Sequence, residues 1–488
     1  MGYCSCTPKC KKWTTFGVAI AFLVIGLFCA FLWAIIIHKV LNHQLGISTK
    51  STIGYSMWKE TPIPMYLSFY MFNWTNADIC EKNASVKPHF TELGPYVFSE
   101  HHIRDNVTFN DNATVTFYNR RIWKFAPDKS KGSLSDNVTT FNPVVASVTN
   151  VVKDKHYFVQ LGVNFFLEEK RVTLAVTRTV NEFIFEGYDD PMLDLLHKLN
   201  ISNIKIPFTK MGWFVDRNNS APYDGLFNMN DGADSIDNLG IVRKWNNYEQ
   251  VPYYPGDCGK VEGTQGELWY PPHEKRSIKI FSNDLCSTLE LERNGEDELH
   301  GIRGYKYLGT NKAFDNGTLY PEMRCFFNQS EYSGVRDVSL CKYGAPAFVS
   351  FPHFYLADPF YRRSIEGMMP DKGKHEMFIS LEPNTGLPLK VRAQIQINLR
   401  LFHLEHITLV SKMNTTLMPI FWFSQTAELT NDLADTVKMV LILPSAGQYT
   451  GYGLLGLGLL LGAIGIFITY RLGWQDSEEE HLLNQNEL

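Results

Sequence analysis

Residues 16–37 read FGVAIAFLVIGLFCAFLWAIII and residues 449–470 read YTGYGLLGLGLLLGAIGIFITY, and neither stretch contains a charged side chain. Each stretch is 22 residues long, and about 20 residues of helix cross a hydrocarbon core about 30 Å thick. Both are therefore predicted to be transmembrane helices. They divide the chain into an N-terminal tail (1–15), a large loop (38–448) and a C-terminal tail (471–488).

The charges beside the first span predict its orientation. Lys9, Lys11 and Lys12 precede it, whereas Lys39 alone follows closely. Because positively charged residues favour the cytosolic side, both tails are predicted to be cytosolic. A cleaved signal peptide is the alternative, but the apolar run exceeds the usual length of about 7–15 residues and no small-x-small cleavage site follows it.

The N-glycosylation motifs N-x-[ST] agree with this topology. All of them fall in the large loop, and N-glycans mark the extracellular or lumenal side. The predicted acceptors are Asn73, Asn83, Asn106, Asn112, Asn137, Asn200, Asn218, Asn316, Asn328 and Asn414.

The second span contains two glycine patterns. Residues 451–456 form a literal G-x-G-x-x-G, but a dinucleotide site needs a preceding strand and a following acidic residue, so that reading is rejected. Gly458 and Gly462 form a small-xxx-small pattern that allows close helix packing. The partner is either the first span or another copy of the chain, which leaves a homo-oligomer possible.

Composition and motifs argue against nucleic-acid binding and catalysis. The net charge is −5 with 20% charged residues, which gives no basic footprint. Lipase-type, zinc-protease and P-loop motifs are absent. His403 and His406 are expected on a strand with their rings on opposite faces, and residues 228–232 lack the glutamate that completes a calcium loop. We expect no enzyme, no cofactor and no metal site.

The nine cysteines separate by compartment. Cys4, Cys6 and Cys10 lie in the cytosolic tail, where S-acylation is favoured over a zinc site that would lack a fourth ligand. The loop contains Cys80, Cys258, Cys286, Cys325 and Cys341. The last four cluster in one window, which predicts two disulfides and one odd thiol without fixing the pairing.

Strand patterns dominate the loop. Residues 393–402 alternate apolar and polar side chains, and Met65, Leu67, Phe69 and Met71 repeat at the same spacing. Helical patterns concentrate at 142–200, where Asn142-Pro143 and Asp190-Pro191 each precede apolar residues at helical spacing. The loop is therefore predicted to be mainly β with a helical insert.

A series of local motifs resembles the class B scavenger-receptor family, which includes the fatty-acid translocase, the lysosomal integral membrane protein and croquemort. The likeness covers essentially the whole chain, and residues 61–66 and 74–76 are most similar to the croquemort branch. The matching motifs are GPYVF (94–98), GYDDP (187–191), DGLF (224–227) with WN (245–246), SFPHF (350–354) and EPNTG (382–386).

The resemblance implies an antiparallel β-barrel-like ectodomain with an apolar tunnel, and a helical apex that coincides with residues 142–200. It also implies the disulfides Cys258–Cys325 and Cys286–Cys341. A third family disulfide has neither partner here, because Phe327 occupies one position and no cysteine lies between Cys325 and Cys341. Cys80 lies outside the pattern.

The resemblance further implies a receptor that binds lipids, lipoproteins or apoptotic-cell and microbial surfaces. Long-chain fatty acids, phospholipids, sterols and lipoprotein particles are the expected ligands. At the apex, Phe165, Phe166, Lys170 and Arg171 combine apolar and cationic groups suited to an acyl chain with an anionic head. The alternative is that both phenylalanines pack the apex. The family's basic pair aligns with Glu169 and Arg171, so one cation is replaced by an acid.

The C-terminal tail carries a candidate sorting signal. Glu478 lies four residues before Leu482-Leu483, a form that endocytic adaptors read as an address. The plasma membrane and the endosomal or lysosomal membrane are the predicted locations. A lysosomal or endosomal sorting receptor for a protein or lipid cargo is the alternative function.

Overall fold

The computed structural model describes residues 8–83, 85–191, 193, 209–327 and 331–485. It divides into two compact units, residues 1–44 with 431–488 and residues 45–430. The helices, in chain order, are α1 (Pro8–Leu27), α2 (Trp33–Leu45), α3 (Ile53–Lys59), α4 (Ala77–Cys80), α5 (Pro143–Val152), α6 (Tyr157–Glu169), α7 (Pro359–Arg363), α8 (Lys372–His375) and α9 (Asn431–Gln485), and a π-helical turn (Phe28–Leu32) joins α1 to α2.

The strands build one large antiparallel sheet and one small one. Their bounds are β1 (Met65–Trp74), β2 (Phe90–Asn110), β3 (Thr114–Phe125), β4 (Asn137–Phe141), β5 (Ala175–Thr179), β6 (Leu226–Asn230), β7 (Val242–Trp245), β8 (Ser277–Ser282), β9 (Ser287–Leu299), β10 (Ile302–Leu308), β11 (Val335–Asp337), β12 (Ala347–Ser350), β13 (Phe378–Leu381), β14 (Pro388–Leu401) and β15 (Thr416–Glu428). The main path of the large sheet runs β7-β6-β3-β2-β1-β15-β14-β13-β10-β9-β8, while β12 pairs with β14 and β4 pairs with β5 separately.

A connecting segment nearly closes the large sheet into a barrel. The N–H of Val242 in edge strand β7 donates to the Gly263 carbonyl at 2.8 Å, and the N–H of Thr264 donates to the Lys279 carbonyl of edge strand β8 at 2.9 Å. Residues 263–264 therefore bridge the two edges, which would otherwise expose unpaired backbone groups. The predicted fold class, a mainly β, barrel-like domain with helices, is confirmed.

The alternation in β1 and β14 is confirmed, with one difference. Met65, Leu67, Phe69 and Met71 are buried. On β14 the polar residues are buried as well, because another segment covers that face: the Gln396 Oε1 accepts from the His353 N–H at 2.6 Å, and the Asn398 amide donates to Ser350 Oγ at 3.1 Å. The alternation of apolar and polar residues along β14 therefore belongs to a strand that is buried on both faces, not to a half-exposed strand.

The helical insert is only partly helical. Asn142 caps α5 by accepting from the Val144 N–H at 3.0 Å, as predicted, and α6 follows. Strand β5, which pairs with β4 just before the window, and a π-helical turn (Glu182–Glu186) then occupy the middle of the predicted window. The helix predicted after Asp190-Pro191 lies almost entirely outside the described residues.

The placement predicted for His403 and His406 on a strand is wrong, because β14 ends at Leu401. His403 Nδ1 instead pairs with the Met413 carbonyl at 3.1 Å in the following turn. Among the described residues, no group of three or more His, Cys, Asp or Glu side chains could hold a metal ion.

The terminal unit contains two helical segments long and apolar enough to cross a membrane. They extend from Trp13 to Leu45 and from Asn431 to Arg471, beyond the stretches 16–37 and 449–470. Gly458 faces Ala19 and Leu23 of α1, but Gly462 has no neighbouring atom within 4 Å of an added Cβ.

The predicted pair Gly458 and Gly462 therefore does not form the contact as a pair, although Gly447 and Gly451, also four residues apart, both face the first span. Gly451, Gly458 and Gly465, seven residues apart, all face the first span. In addition, Trp33 Nε1 donates to the Leu443 carbonyl at 3.0 Å.

Candidate ligand-binding site

A cavity of about 150 Å³ lies inside the barrel of the 45–430 unit. Strands β1, β13, β14 and β15 supply one wall, and the connections around residues 265–267 and 282–285 supply another. Its apolar lining residues are Ile63, Met65, Ile280, Phe281, Leu285, Leu289, Met377, Ile379, Pro388, Val391, Ala393, Ile395, Phe423 and Ala427.

The apolar wall follows from the alternation of the strands. Met65 pairs with Ala427, and Val391 also pairs with Ala427, so these three interior positions lie side by side across β1, β15 and β14. An apolar cavity of about 150 Å³ holds a ligand the size of benzene. As it stands, the cavity therefore accommodates a short length of acyl chain or one ring rather than a whole lipid.

An aromatic cluster extends the apolar interior from Phe423. The ring of Phe69 lies 6.1 Å from that of Phe423 and 5.1 Å from that of Phe214, centroid to centroid. Phe98 and Phe185 complete the cluster at 5.0 Å from each other. These edge-on and tilted contacts stabilise the core beyond their buried area.

A charged group adjoins this apolar wall, because Glu100 of β2 pairs with Met65 of β1. His102 lies between two carboxylates, with Nε2 at 2.7 Å from Glu100 and Nδ1 at 2.7 Å from Glu267. Glu267 also pairs with Arg104. Burial opposes the charged imidazolium, but Glu267 and Glu100 outweigh it and raise the pKa of His102. Against burial, Arg104 and His102 hold the pKa of Glu267 well below its usual range.

A second ion-pair group continues this charged group. Arg121 Nε lies 3.0 Å from Asp224, and Arg217 joins Asp224 at 2.9 Å to Asp284 at 3.0 Å. Despite burial, Arg217 lowers the pKa of Asp284 to about 2. These buried charges are thus compensated within the protein, as buried ions must be. The site combines an apolar wall with fixed charged groups and suits an amphiphile.

Sequence reasoning did not predict the charged group. Glu100, His102 and Arg104 alternate on β2 at the spacing of one strand face, which is a readable signal. Their partner Glu267, however, lies more than 160 residues away in a connection.

The predicted apex residues differ in their surroundings. Phe165 is 69% exposed, whereas Phe166 packs against the core. Lys170 Nζ lies 5.7 Å from the Phe166 ring centroid and 3.5 Å from Glu169, and Arg171 is exposed with a φ of 52°. The structure adds four exposed apolar or aromatic neighbours on α6 that were not singled out, Tyr157, Phe158 (73% exposed), Val159 and Leu161.

The cysteines of the loop are joined as Cys258–Cys325 and Cys286–Cys341. Cys80 is buried and free, and Cys29 is free in the π-helical turn. Cys4 and Cys6 lie outside the described residues. The side chains of Cys10, Glu478, Leu482 and Leu483 also lie outside the described part.

Most of the predicted glycosylation sites lie on the surface. Asn73 and Asn316 are half-buried, and Asn73 accepts from the Thr139 N–H at 2.8 Å. Asn200 and Asn328 lie outside the described residues. The exposed acceptors are Asn83, Asn106, Asn112, Asn137, Asn218 and Asn414.

An antiparallel barrel with an apolar cavity, set in a chain with a membrane-type helix near each end, defines a class of membrane receptor. The chain belongs to the CD36 family, whose profile matches residues 16–469. It is 33% identical over 459 residues to Protein peste of Drosophila melanogaster, covering 93% of this chain and 82% of that protein.

Two further relatives differ in their named roles. Scavenger receptor class B member 1 of Mus musculus is 34% identical over 424 residues, covering 86% of this chain and 82% of that protein. Lysosome membrane protein 2 of Homo sapiens is 28% identical over 424 residues, covering 85% of each chain.

Proposed function

We propose that this protein is a receptor that captures lipids or lipid-bearing particles and takes apolar ligand into the barrel. Candidate ligands are long-chain fatty acids, phospholipids, sterols and lipoprotein particles. The observation that carries the proposal is the cavity, whose apolar wall adjoins a compensated charged group. The relation to a scavenger receptor supports it.

The cavity also lies near the membrane helix along the chain. Ala427 lines it and precedes Asn431, the first residue of α9, by four residues. We propose that apolar ligand leaves the interior along β15, the strand that leads in sequence into α9. A conduit of this kind, the predicted tunnel, is part of the proposal.

The proposal also includes the predictions from the sequence about topology, modification and location. Both tails face the cytosol, the large loop is extracellular or lumenal and glycosylated, and Cys4, Cys6 and Cys10 are acylated. The protein acts as a receptor and not as an enzyme. It is located at the plasma membrane and in endosomes or lysosomes.

Filling the cavity tests the proposal. Ala393→Trp places a large side chain among the lining residues, while Lys412→Trp adds the same side chain at an exposed turn. Lipids that co-purify with each full-length variant are identified and quantified by mass spectrometry. We expect the Ala393→Trp variant to lose most bound lipid while the Lys412→Trp variant keeps it. Equal lipid content in both folded variants would contradict the cavity as the lipid site.

A sorting receptor for endosomes or lysosomes is the second candidate. The acidic dileucine Glu478, Leu482 and Leu483 and the relation to Lysosome membrane protein 2 favour it. Surface labelling of intact cells compares the wild type with Leu482→Ala/Leu483→Ala. A surface pool that grows in the variant supports an active signal, and an unchanged pool removes this candidate.

A further inference from the structure

A polar groove of about 320 Å³ lies on the outer face of β2, β3, β6 and β7. Its volume is within the range of small-molecule sites. Unlike the barrel cavity, it is lined mainly by residues with amide and hydroxyl side chains. The lining residues are Asn110, Asn112, Thr114, Thr116, Leu226, Phe227, Asn228, Lys244 and Asn247.

Two asparagines and two threonines form the floor of this groove. The Asn110 amide donates to Thr114 Oγ1 and Thr116 Oγ1, each at 3.0 Å. The Asn228 amide donates to the same two oxygens, also at 3.0 Å. Each threonine hydroxyl thus accepts twice, which leaves its proton to donate elsewhere. The amide oxygens of Asn110 and Asn228 remain as additional acceptors.

Asn112 belongs to both the groove and a glycosylation motif. It is the asparagine of Asn112-Ala113-Thr114, and Thr114 Oγ1 donates to Asn112 Oδ1 at 2.7 Å. This hydrogen bond holds the Asn112 amide through its oxygen. It leaves the amide nitrogen, Nδ2, available, and Nδ2 is the atom to which an N-glycan is attached. A sugar joined to Nδ2 therefore begins inside the groove, without the entropic cost of finding it.

We propose that the groove is the seat of the glycan carried by Asn112, whose first sugars lie against the β3–β6 face. This inference rests on the glycosylation part of the proposed function. Sugar hydroxyls both donate and accept, which matches the mixed groups of the floor. Lys244 is offset by Glu249 at 3.3 Å, and no carboxylate lines the groove, so a neutral carbohydrate suits it better than an anion or a cation.

Site-resolved deglycosylation of the native full-length protein tests the seat. A glycosidase that cleaves the core is added to folded protein in detergent, and release at each asparagine is followed by mass spectrometry. We expect release at Asn112 to be about tenfold slower than at Asn137 and Asn414, a difference equivalent to about 1.4 kcal/mol. Both reference sites are exposed.

Two groove variants and one control accompany this measurement. Asn228→Ala/Asn247→Gly removes groove amides, and glycine tolerates the φ of 68° at position 247. Lys244→Ala/Asn247→Gly changes only exposed positions. It therefore serves as the groove variant if the first variant does not fold. Asn311→Ala removes an exposed amide outside the groove. The groove variants should accelerate release at Asn112 alone, and the control should not.

The contradicting outcomes are distinguishable. An unmodified Asn112 overturns the seat together with glycosylation at that site. A modified Asn112 whose glycan is released as fast as that of Asn137, or at a rate unchanged in the folded groove variants, overturns the seat alone.

Discussion

His375 and His102 are both buried, but their surroundings shift their pKa values in opposite directions. Burial and the stacked His353 ring, 4.5 Å away, lower the pKa of His375 to about 4. His375 Nδ1 accepts from the Asp371 N–H at 2.9 Å, an arrangement that requires the neutral ring. His102, held between two carboxylates, has a raised pKa. Its contribution to stability is present below the usual histidine pKa and is lost as pH rises through the raised value.

His375 makes the protein less stable in acid. The unfolded chain takes up a proton near pH 6.5, whereas folded His375 does so only near 4, so stability falls as pH falls between these values, by about 1.4 kcal/mol per pH unit for one proton. In His375→Asn, the side chain keeps an acceptor but does not titrate. We expect a smaller drop in thermal midpoint between pH 7 and pH 5 than in the wild type. His406→Asn, at an exposed turn, is the control, and equal drops in all three proteins would contradict the prediction.

The structural role of a single residue could be predicted from the sequence where it depends only on neighbouring residues. Asn142 and Pro143 were read as cap and first helical residue, because capping depends only on neighbouring N–H groups. His353 was read only as part of a family motif. Its partner Glu92, 2.6 Å away, is 261 residues distant in the sequence, and no local pattern encodes such a contact.

The contact between the two membrane-type helical segments depends on glycine at particular positions. A Cβ on Gly451 would lie 2.4 Å from Ala30 N, whereas one on Gly453 would meet nothing within 4 Å. We expect Gly451→Leu to lower the thermal midpoint and the cellular yield of the full-length protein, because close helix packing in membranes needs small residues. Gly453→Leu is the matched control. Equal effects of the two substitutions would show that the observed packing does not stabilise the protein.

We expect a particle with anionic lipids to be captured at helix α6. Phe158, Leu161 and Phe165 are exposed on this helix, and Lys170 and Arg171 follow at its C-terminal end. Lys170→Glu/Arg171→Glu should reduce uptake of vesicles rich in anionic phospholipid severalfold, because each reversed charge turns attraction into repulsion. Lys131→Glu/Lys412→Glu, at two other exposed positions, is the control. Unchanged uptake would exclude Lys170 and Arg171 from the capture site. The sequence is compatible with that outcome, because Glu169 replaces one cation of the family's basic pair.

Individual secondary-structure elements were easier to predict from the sequence than their arrangement in space. Period two identified β1 and β14 because alternation is a property of the strand itself. Closure of the barrel was expected only from the family resemblance, since it depends on residues 263–264 meeting both β7 and β8. The β4–β5 pair, whose second strand lies inside the apex window, was missed, because both strands are short and lie on either side of two helices.

At the scale of the whole molecule, one disulfide lies close in sequence to the segment that bridges the two edges of the barrel. Cys258 lies five residues before Gly263, where the connection between β7 and β8 begins its bridge, and it is joined to Cys325. Gln265, Gly266 and Glu267, which line the cavity, continue the same connection. The second disulfide, Cys286–Cys341, instead fixes the start of β9.

The two disulfides offer a matched comparison. They span 67 and 55 residues, so chain entropy assigns each about 4 kcal/mol of stabilisation. Cys258→Ser/Cys325→Ser and Cys286→Ser/Cys341→Ser should therefore lower the thermal midpoint by similar amounts. Only the first pair should also speed the loss of co-purified lipid to lipid-free detergent, because only that disulfide lies on the connection that contains the 263–264 bridge between β7 and β8, whereas Cys286 follows the lining residues 282–285 in the turn between β8 and β9. Equal rates of lipid loss would mean that the 263–267 connection does not retain the ligand, whereas faster loss confined to the first variant would identify the seam between β7 and β8 as the barrier that keeps ligand inside.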